Sequence, residues 1–318
     1  MAPGITFHDH KPAGLSLRRA VIDGLSAEPK AIPPKFFYDQ RGSALFSTLC
    51  QQPEYYPPEI EQKMLSELSG EIARLAGGGR MVFEPGAGAL TKIRLLLEPL
   101  QPAAYVPMDI SGEYLRTAAS DLARAFPWLP VHATCVDFTH SLPIPDPAPA
   151  GPRLAFFPGS SIGNFDPQAA VGFLQLVARQ LGPKGLLLIG VDTKKDPRVL
   201  HAAYNDRAGI TAAFNLNLLR RMRDELGLEC DPDQFEHRAF YNPGPGRIEM
   251  HLVSRRSQTL RMNGYRFEFS EGESVHTENS YKYTPQEFIS LAADAGLELQ
   301  EYWLGEGSLF ALYLLRNG

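Results

Sequence analysis

Short apolar runs alternate with amphipathic stretches through the middle of this chain. Residues 81–84, 104–108, 131–136, 153–157 and 185–192 are dominated by apolar side chains. Runs of that length, with few polar interruptions, predict strands covered on both faces, as in a parallel sheet. Helical spacing fills the intervals at 92–100, 111–125 and 168–181. The predicted fold class is therefore α/β, a Rossmann-like doubly wound sheet. Ahead of it, 15–25 predicts a short amphipathic helix with Arg18 and Arg19 on its polar side. Residues 59–75 predict a long helix leading into the first strand. Two aromatic segments bounded by prolines lie at 33–43 and 53–58, and prolines are expected to keep the first from being helical.

The pattern changes after residue 195. Residues 196–227 read as largely helical, whereas 247–253 and 259–269 predict antiparallel strands joined by a polar turn at 255–258. Residues 275–283 are polar with period-two features. The doubly wound pattern resumes with a helix at 285–295 and strands at 297–303 and 309–315. The expected organisation is a cofactor domain of 59–195 plus 284–318 and a smaller α+β substrate domain of 1–58 plus 196–283. Residues 143–152 read as a proline-rich surface loop.

Composition excludes more than it selects. The 318 residues are 44% apolar and 21% charged with a formal charge of −5, which offers no electrostatic reason for a nucleic-acid partner. No apolar run reaches membrane-spanning length, and residues 1–14 lack the apolar core of a signal peptide. Cys50, Cys135 and Cys230 are far apart and odd in number, so neither a disulfide framework nor a metal site is implied. A cytoplasmic monomer is the expected form.

Candidate chemistry begins at Glu84-Pro85-Gly86-Ala87-Gly88, a strand end that turns through two glycines. Thr91 stands where a dinucleotide fingerprint needs its third glycine, so that motif fails. An acid two residues before the first glycine suits a cofactor carrying positive charge and no pyrophosphate. The pattern resembles motif I of S-adenosylmethionine-dependent methyltransferases. Asp109 closes the next strand, twenty-one residues beyond Gly88, where a carboxylate can accept from both ribose hydroxyls. Asp137-Phe138 closes the third and could place an acceptor and an apolar face against an adenine. Small residues and Asn164 follow the fourth strand. On the residues alone, a phosphate-free glycine turn and an Asx turn at Asn164 remain alternatives.

Several longer stretches carry a closer resemblance. Pro34-Lys35-Phe36-Phe37-Tyr38-Asp39, Pro53-Glu54-Tyr55-Tyr56-Pro57, Gly159-Ser160-Ser161-Ile162-Gly163-Asn164, Ala203-Tyr204-Asn205-Asp206, Arg247-Ile248-Glu249-Met250 and Glu278-Asn279-Ser280 are similar to the histidine-specific methyltransferases of ergothioneine biosynthesis. That resemblance implies trimethylation of the α-amine of L-histidine to hercynine, with S-adenosylmethionine as donor. It implies that Asn164 and Tyr204 hold the substrate carboxylate, and that Glu278 and Ser280 read the imidazole from one side of an extended segment. Tyr56 is expected near the imidazole, Met250 near the side-chain pocket, and Tyr38 beside the α-amine as the catalytic residue. Gly86, Gly88, Lys92, Asp109, Asp137 and Phe138 carry over to the cofactor side. The chain departs from the family's usual motif, Glu-Leu-Gly-Ser-Gly followed by Ser or Thr residues and Lys-Thr, at Pro85, Ala87, Ala89, Leu90 and Ile93, so that several hydroxyls are missing. Two other functions compete: methylation of a different amino acid or small amine, and non-catalytic binding of the cofactor or histidine.

Overall fold

The structure, a computed structural model, describes residues 4–10, 16–146 and 151–318; Leu15 of the first predicted helix and residues 147–150 of the proline-rich loop lie outside it. The chain opens with β1 (Ile5–Asp9), α1 (Leu17–Ser26), β2 (Lys30–Ala31), α2 (Gln40–Leu49) and α3 (Pro57–Ala76). Then follow β3 (Met81–Pro85), α4 (Arg94–Leu100), β4 (Ala104–Asp109), α5 (Gly112–Ala125), β5 (Val131–Cys135), β6 (Arg153–Phe157), α6 (Pro167–Leu181) and β7 (Leu186–Asp192). Next come α7 (Pro197–Ala203), α8 (Ile210–Leu226), β8 (Phe235–Asn242), β9 (Arg247–Ser254), β10 (Gln258–Met262), β11 (Tyr265–Phe269) and β12 (Ser274–Tyr281). The chain closes with α9 (Pro285–Asp294), β13 (Leu297–Leu304) and β14 (Phe310–Asn317). Two compact units result, one of Met1–Ala13, Pro57–Lys194 and Tyr283–Gly318, the other of Gly14–Tyr56 and Lys195–Lys282.

The first unit is built on an eight-stranded sheet ordered β1-β5-β4-β3-β6-β7-β14-β13. All neighbours are parallel except β14, which runs antiparallel to both β7 and β13. β3, β4, β5 and β7 are buried nearly throughout, as strands sandwiched by helices must be. From β3 the chain moves to β4 and β5 on one side, then returns to β6 and β7 on the other. The carboxyl end of β3 is therefore the switch point, where a doubly wound sheet opens a crevice for a ligand. One expectation is corrected here. Residues 1–58 do not all belong with the second unit, because β1 pairs in parallel with β5 at the sheet edge of the first.

The second unit has a four-stranded sheet ordered β2-β12-β9-β8 and a separate β10-β11 hairpin. Phe37, Phe214, Leu218, Met222, Ile248 and Met250 belong to its core. Two further expectations fail. Residues 259–269 are not one strand beside β9: they fold back at Asn263 and Gly264, both at positive φ, the signature of a tight hairpin turn. The partners of β9 are β8, which the polar pattern concealed, and β12. Likewise Gln40–Ser43 is helical despite the upstream prolines, because Asp39 caps α2 by accepting the Gly42 amide at 2.6 Å. A register shift in β12 between His276 and Glu278 sets Glu278 opposite Met250 and Ser280 opposite Ile248. Without that bulge the whole polar set would face the other way.

Candidate active site

Successive strands of the first unit end in the residues expected to bind a cofactor. The penultimate residue of β3 is Glu84, which is 2% exposed and accepts from the Tyr105 hydroxyl at 2.5 Å. Burial pushes its carboxyl up to about 8, against the pull of that hydrogen bond and of the Lys92 ammonium. Gly86 turns the chain at φ 67°, and a Cβ there would lie 3.1 Å from the Phe138 ring. Asp109 receives the Gly88 amide at 3.0 Å and the Ser111 amide at 2.9 Å. One carboxylate thereby ties the glycine turn to the start of α5 and keeps lone pairs for other donors. Burial pushes Asp109 upward, opposed by these amides. Asp137 follows β5 and accepts from the amide and hydroxyl of Thr139 at 3.1 and 2.5 Å. Phe138 packs edge-on against Phe157 and Phe173. Lys92 is ion-paired with Glu61 of α3. Asn164 ends the 3₁₀ turn Ser161–Asn164 in the loop after β6.

The second unit gathers its predicted residues around tyrosines. The Tyr204 hydroxyl donates to Ser280 Oγ at 2.7 Å, and the Lys282 ammonium donates to both, at 3.2 and 2.8 Å. Tyr55 meets Tyr204 edge-on, with ring centroids 6.0 Å apart. Burial pushes the Tyr55 phenol well up, and Tyr204, Cys50, Glu278 and Tyr38 add to the shift. Tyr38, Tyr204 and Glu278 therefore share one neighbourhood, which Ser280 joins through Tyr204 and Met250 through its register with Glu278. Tyr38 is edge-on to Phe46 and Phe214, 5.6 Å from each. The Tyr56 hydroxyl accepts from Lys195 at 2.6 Å, with the ammonium 4.5 Å from its ring centroid.

The chemistry of each cluster is specific. In the first, an acid kept neutral by burial can ionise beside a cation, Asp109 can accept from a diol, and Phe138 offers a flat ring. These groups fit an adenosyl sulfonium. In the second, hydroxyls and a carboxylate line a partly aromatic site suited to a polar amino acid. Residues 17–317 match the family of histidine-specific, S-adenosylmethionine-dependent methyltransferases. The chain belongs to that family. It is 40% identical to the histidine N-alpha-methyltransferase of Mycolicibacterium smegmatis, across 95% of each chain. It is 30% identical to ergothioneine biosynthesis protein 1 of Neurospora crassa, across 90% of this chain and 33% of that one. The solved structure of the CcbJ methyltransferase from Streptomyces caelestis shares the fold, with a TM-score of 0.50 and 14% identity over 82% of this chain and 96% of that one.

Four residues of this methyltransferase escaped the sequence reading: Glu61, Tyr55, Lys195 and Lys282. Lys282 had a signal, since it continues the every-second-residue set of Glu278 and Ser280. Glu61 and Lys195 had none, because their partners lie on other elements. A polar cluster also covers the opposite face of β9 and β12, where ligand atoms of Glu249, His251 and His276 lie within 4.8 Å of one another. The two imidazoles stack with centroids 4.7 Å apart and 12° between planes. His251 Nε2 lies 3.2 Å from Glu249 Oε2, and His276 Nε2 lies 3.1 Å from the Glu278 carbonyl oxygen. Glu249 meanwhile accepts from Arg247 at 2.8 Å and Asn242 at 3.0 Å. This cluster braces the sheet.

Proposed function

We propose that this protein transfers three methyl groups from S-adenosylmethionine to the α-amine of L-histidine, giving hercynine, in ergothioneine biosynthesis. Family membership over nearly the whole chain is the observation that carries this reading. Gly86, Gly88, Asp109, Asp137 and Phe138 would hold the cofactor: the glycines by close backbone approach, the acids as acceptors, the ring as a flat face. When bound, it supplies an activated methyl on a sulfonium. The protein's own task is to hold the amine in line and unprotonated. Asn164 and Tyr204 are assigned to the substrate carboxylate, Glu278 and Ser280 to the imidazole, Tyr56 and Met250 to the side-chain pocket. An α-amine is largely protonated at neutral pH, so a proton must leave before it can attack. Tyr38, directly or through water, orients the amine and relays that proton. Its ring face then favours the quaternary product by cation–π attraction. The protein is taken to act as a cytosolic monomer.

Mass spectrometry of purified protein with donor and a panel of amino acids tests the whole reading; absence of methylated histidine would end it. Tyr38→Phe tests the relay. It is expected to slow the second and third transfers more than it raises the KM for histidine. Unchanged ratios and rates of mono-, di- and trimethyl product would rule that role out.

Glu84 adds a pH dependence. Its native pKa, about 8, exceeds its ordinary value of 4.5. The folded state therefore binds the proton more tightly than the unfolded state. The resulting stability is fully present below about pH 4.5 and is lost as pH rises through 8. A cation beside Glu84 favours the carboxylate, so cofactor binding near pH 7 should release close to one proton. Calorimetry in buffers of different ionisation enthalpy reads that proton directly. Glu84→Gln should abolish the release, and an unchanged release in that variant would reject the assignment.

A further inference from the structure

β12 carries its bulge at Thr277, between His276, which pairs with His251, and Glu278, which pairs with Met250. A bulged residue leaves the ladder locally unpaired, so such a strand needs a further contact to hold its register. Here that contact comes from α8. Asn215 of this helix is completely buried, and Thr277 is nearly so. The Thr277 hydroxyl lies 2.8 Å from Asn215 Oδ1 and 3.0 Å from the Met250 carbonyl oxygen, so its one proton is shared between the helix and the neighbouring strand. Asn215 Nδ2 donates to the His251 carbonyl at 3.0 Å and lies 2.9 Å from His237 Nδ1 of β8. His237 Nε2 lies 2.9 Å from the Tyr204 carbonyl oxygen. A carbonyl only accepts, so Nε2 carries the ring proton and Nδ1 accepts from the Asn215 amide. Burial lowers the His237 pKa, in keeping with a neutral ring.

The Asn215 amide is thereby fully used, its oxygen by Thr277 and its two N–H groups by His251 and His237. An apolar side chain would pack a helix on a sheet without desolvating an amide, which is stable in the interior only when so bonded. The choice of partners points to a task other than packing. Asn215 and Thr277 together engage the carbonyls of Met250 and His251, the two residues that face the bulge. Through His237 the same chain of bonds ends on the backbone of Tyr204, at the close of α7.

We propose that Asn215 and Thr277 are positioning residues for amino-acid selection: they lock the bulge of β12 and so aim Glu278 and Ser280 at the substrate ring. The inference rests on the reading of Glu278 and Ser280 as imidazole contacts, and the experiment separates the two.

The full-length protein is compared with Thr277→Val, Thr277→Ser, the Asn215→Leu/Thr277→Val double variant and Glu278→Ala. Steady-state methylation gives the histidine KM, and phenylalanine added as a competitor gives its Ki. Thr277→Val keeps the shape and deletes the O–H. It is expected to raise the histidine KM about ten- to hundredfold while the phenylalanine Ki moves less than about threefold, and Thr277→Ser should stay within about threefold of the parent in both. The double variant should be no worse than Thr277→Val, since both remove the same tie. Replacing both partners by apolar groups is also the milder change for folding. A lower melting temperature in Thr277→Val with an unchanged ratio of KM to Ki would leave the network a brace for the sheet and overturn the proposal. So would a KM and a Ki that rise together, or a Thr277→Ser as poor as Thr277→Val. If neither valine variant folds, the network serves the fold itself and the proposal is overturned as well. If Glu278→Ala leaves the ratio of KM to Ki unchanged, the imidazole reading of Glu278 falls and the proposal with it. If Glu278→Ala shifts that ratio and Thr277→Val does not, only the positioning role is lost.

Discussion

Glu278→Ala is expected to lower kcat/KM for histidine about a thousandfold while leaving the fold intact. The carboxylate projects from β12 opposite the buried Met250 and on the same side as Ser280. Ser280 is itself held between the Tyr204 hydroxyl and the Lys282 ammonium, so the surroundings cannot readily shift to replace a lost acceptor. An imidazole N–H that leaves water and finds no partner loses the hydrogen bond and keeps the desolvation cost, together about 4 kcal/mol, or roughly three powers of ten. Phenylalanine brings no ring N–H and should lose little. The preference for histidine over phenylalanine is therefore expected to collapse. Kinetics over a panel of amino acids decides the matter: a histidine kcat/KM within tenfold of the parent would mean that Glu278 does not read the imidazole. Glu278 is part-exposed, so melting should shift by only a few degrees.

Asp109→Ala should weaken cofactor binding by about a hundredfold, near 3 kcal/mol. Two losses add. The Gly88 and Ser111 amides lose their acceptor, which loosens the glycine turn and the first turn of α5 together. The carboxylate's remaining lone pairs, suited to a ribose diol, disappear as well. Asp109→Asn keeps one carbonyl acceptor and should recover part of the loss. Calorimetry with S-adenosylhomocysteine, which avoids turnover, provides the measure. A Kd within threefold of the parent in Asp109→Ala would remove Asp109 from the cofactor site.

Much of the molecule is legible in its sequence. β3 to β7 declare themselves as apolar runs, and the acids and glycines that end them follow directly in sequence. β12 was visible as alternation, and its Glu278 and Ser280 fell on one side as that period requires. The hairpin at Asn263-Gly264 was legible too, since that dipeptide is a strong turn signal, but the apolar residues on either side read as one strand. β1 and β8 were missed for a different reason. Neither is an apolar run: β1 contains Thr6, His8 and Asp9, and β8 contains Glu236, His237 and Arg238. β1 is a strand because β5, distant in sequence, completes its backbone hydrogen bonds, and β8 because β9 folds back against it across a short turn.

What the sequence determined by itself are the parallel sheet, the switch point at the end of β3 and the residue types placed there, because period, turn chemistry and strand ends are local properties of a chain. Only the tertiary structure decided where buried charge is tolerated. Glu61 lies 31 residues from Lys92 and 98 from Gly159, and Tyr204 lies 76 from Ser280. A polar group is stable in the interior only if its partners arrive there with it, and no pattern spanning a few neighbouring positions records which distant element will bring them.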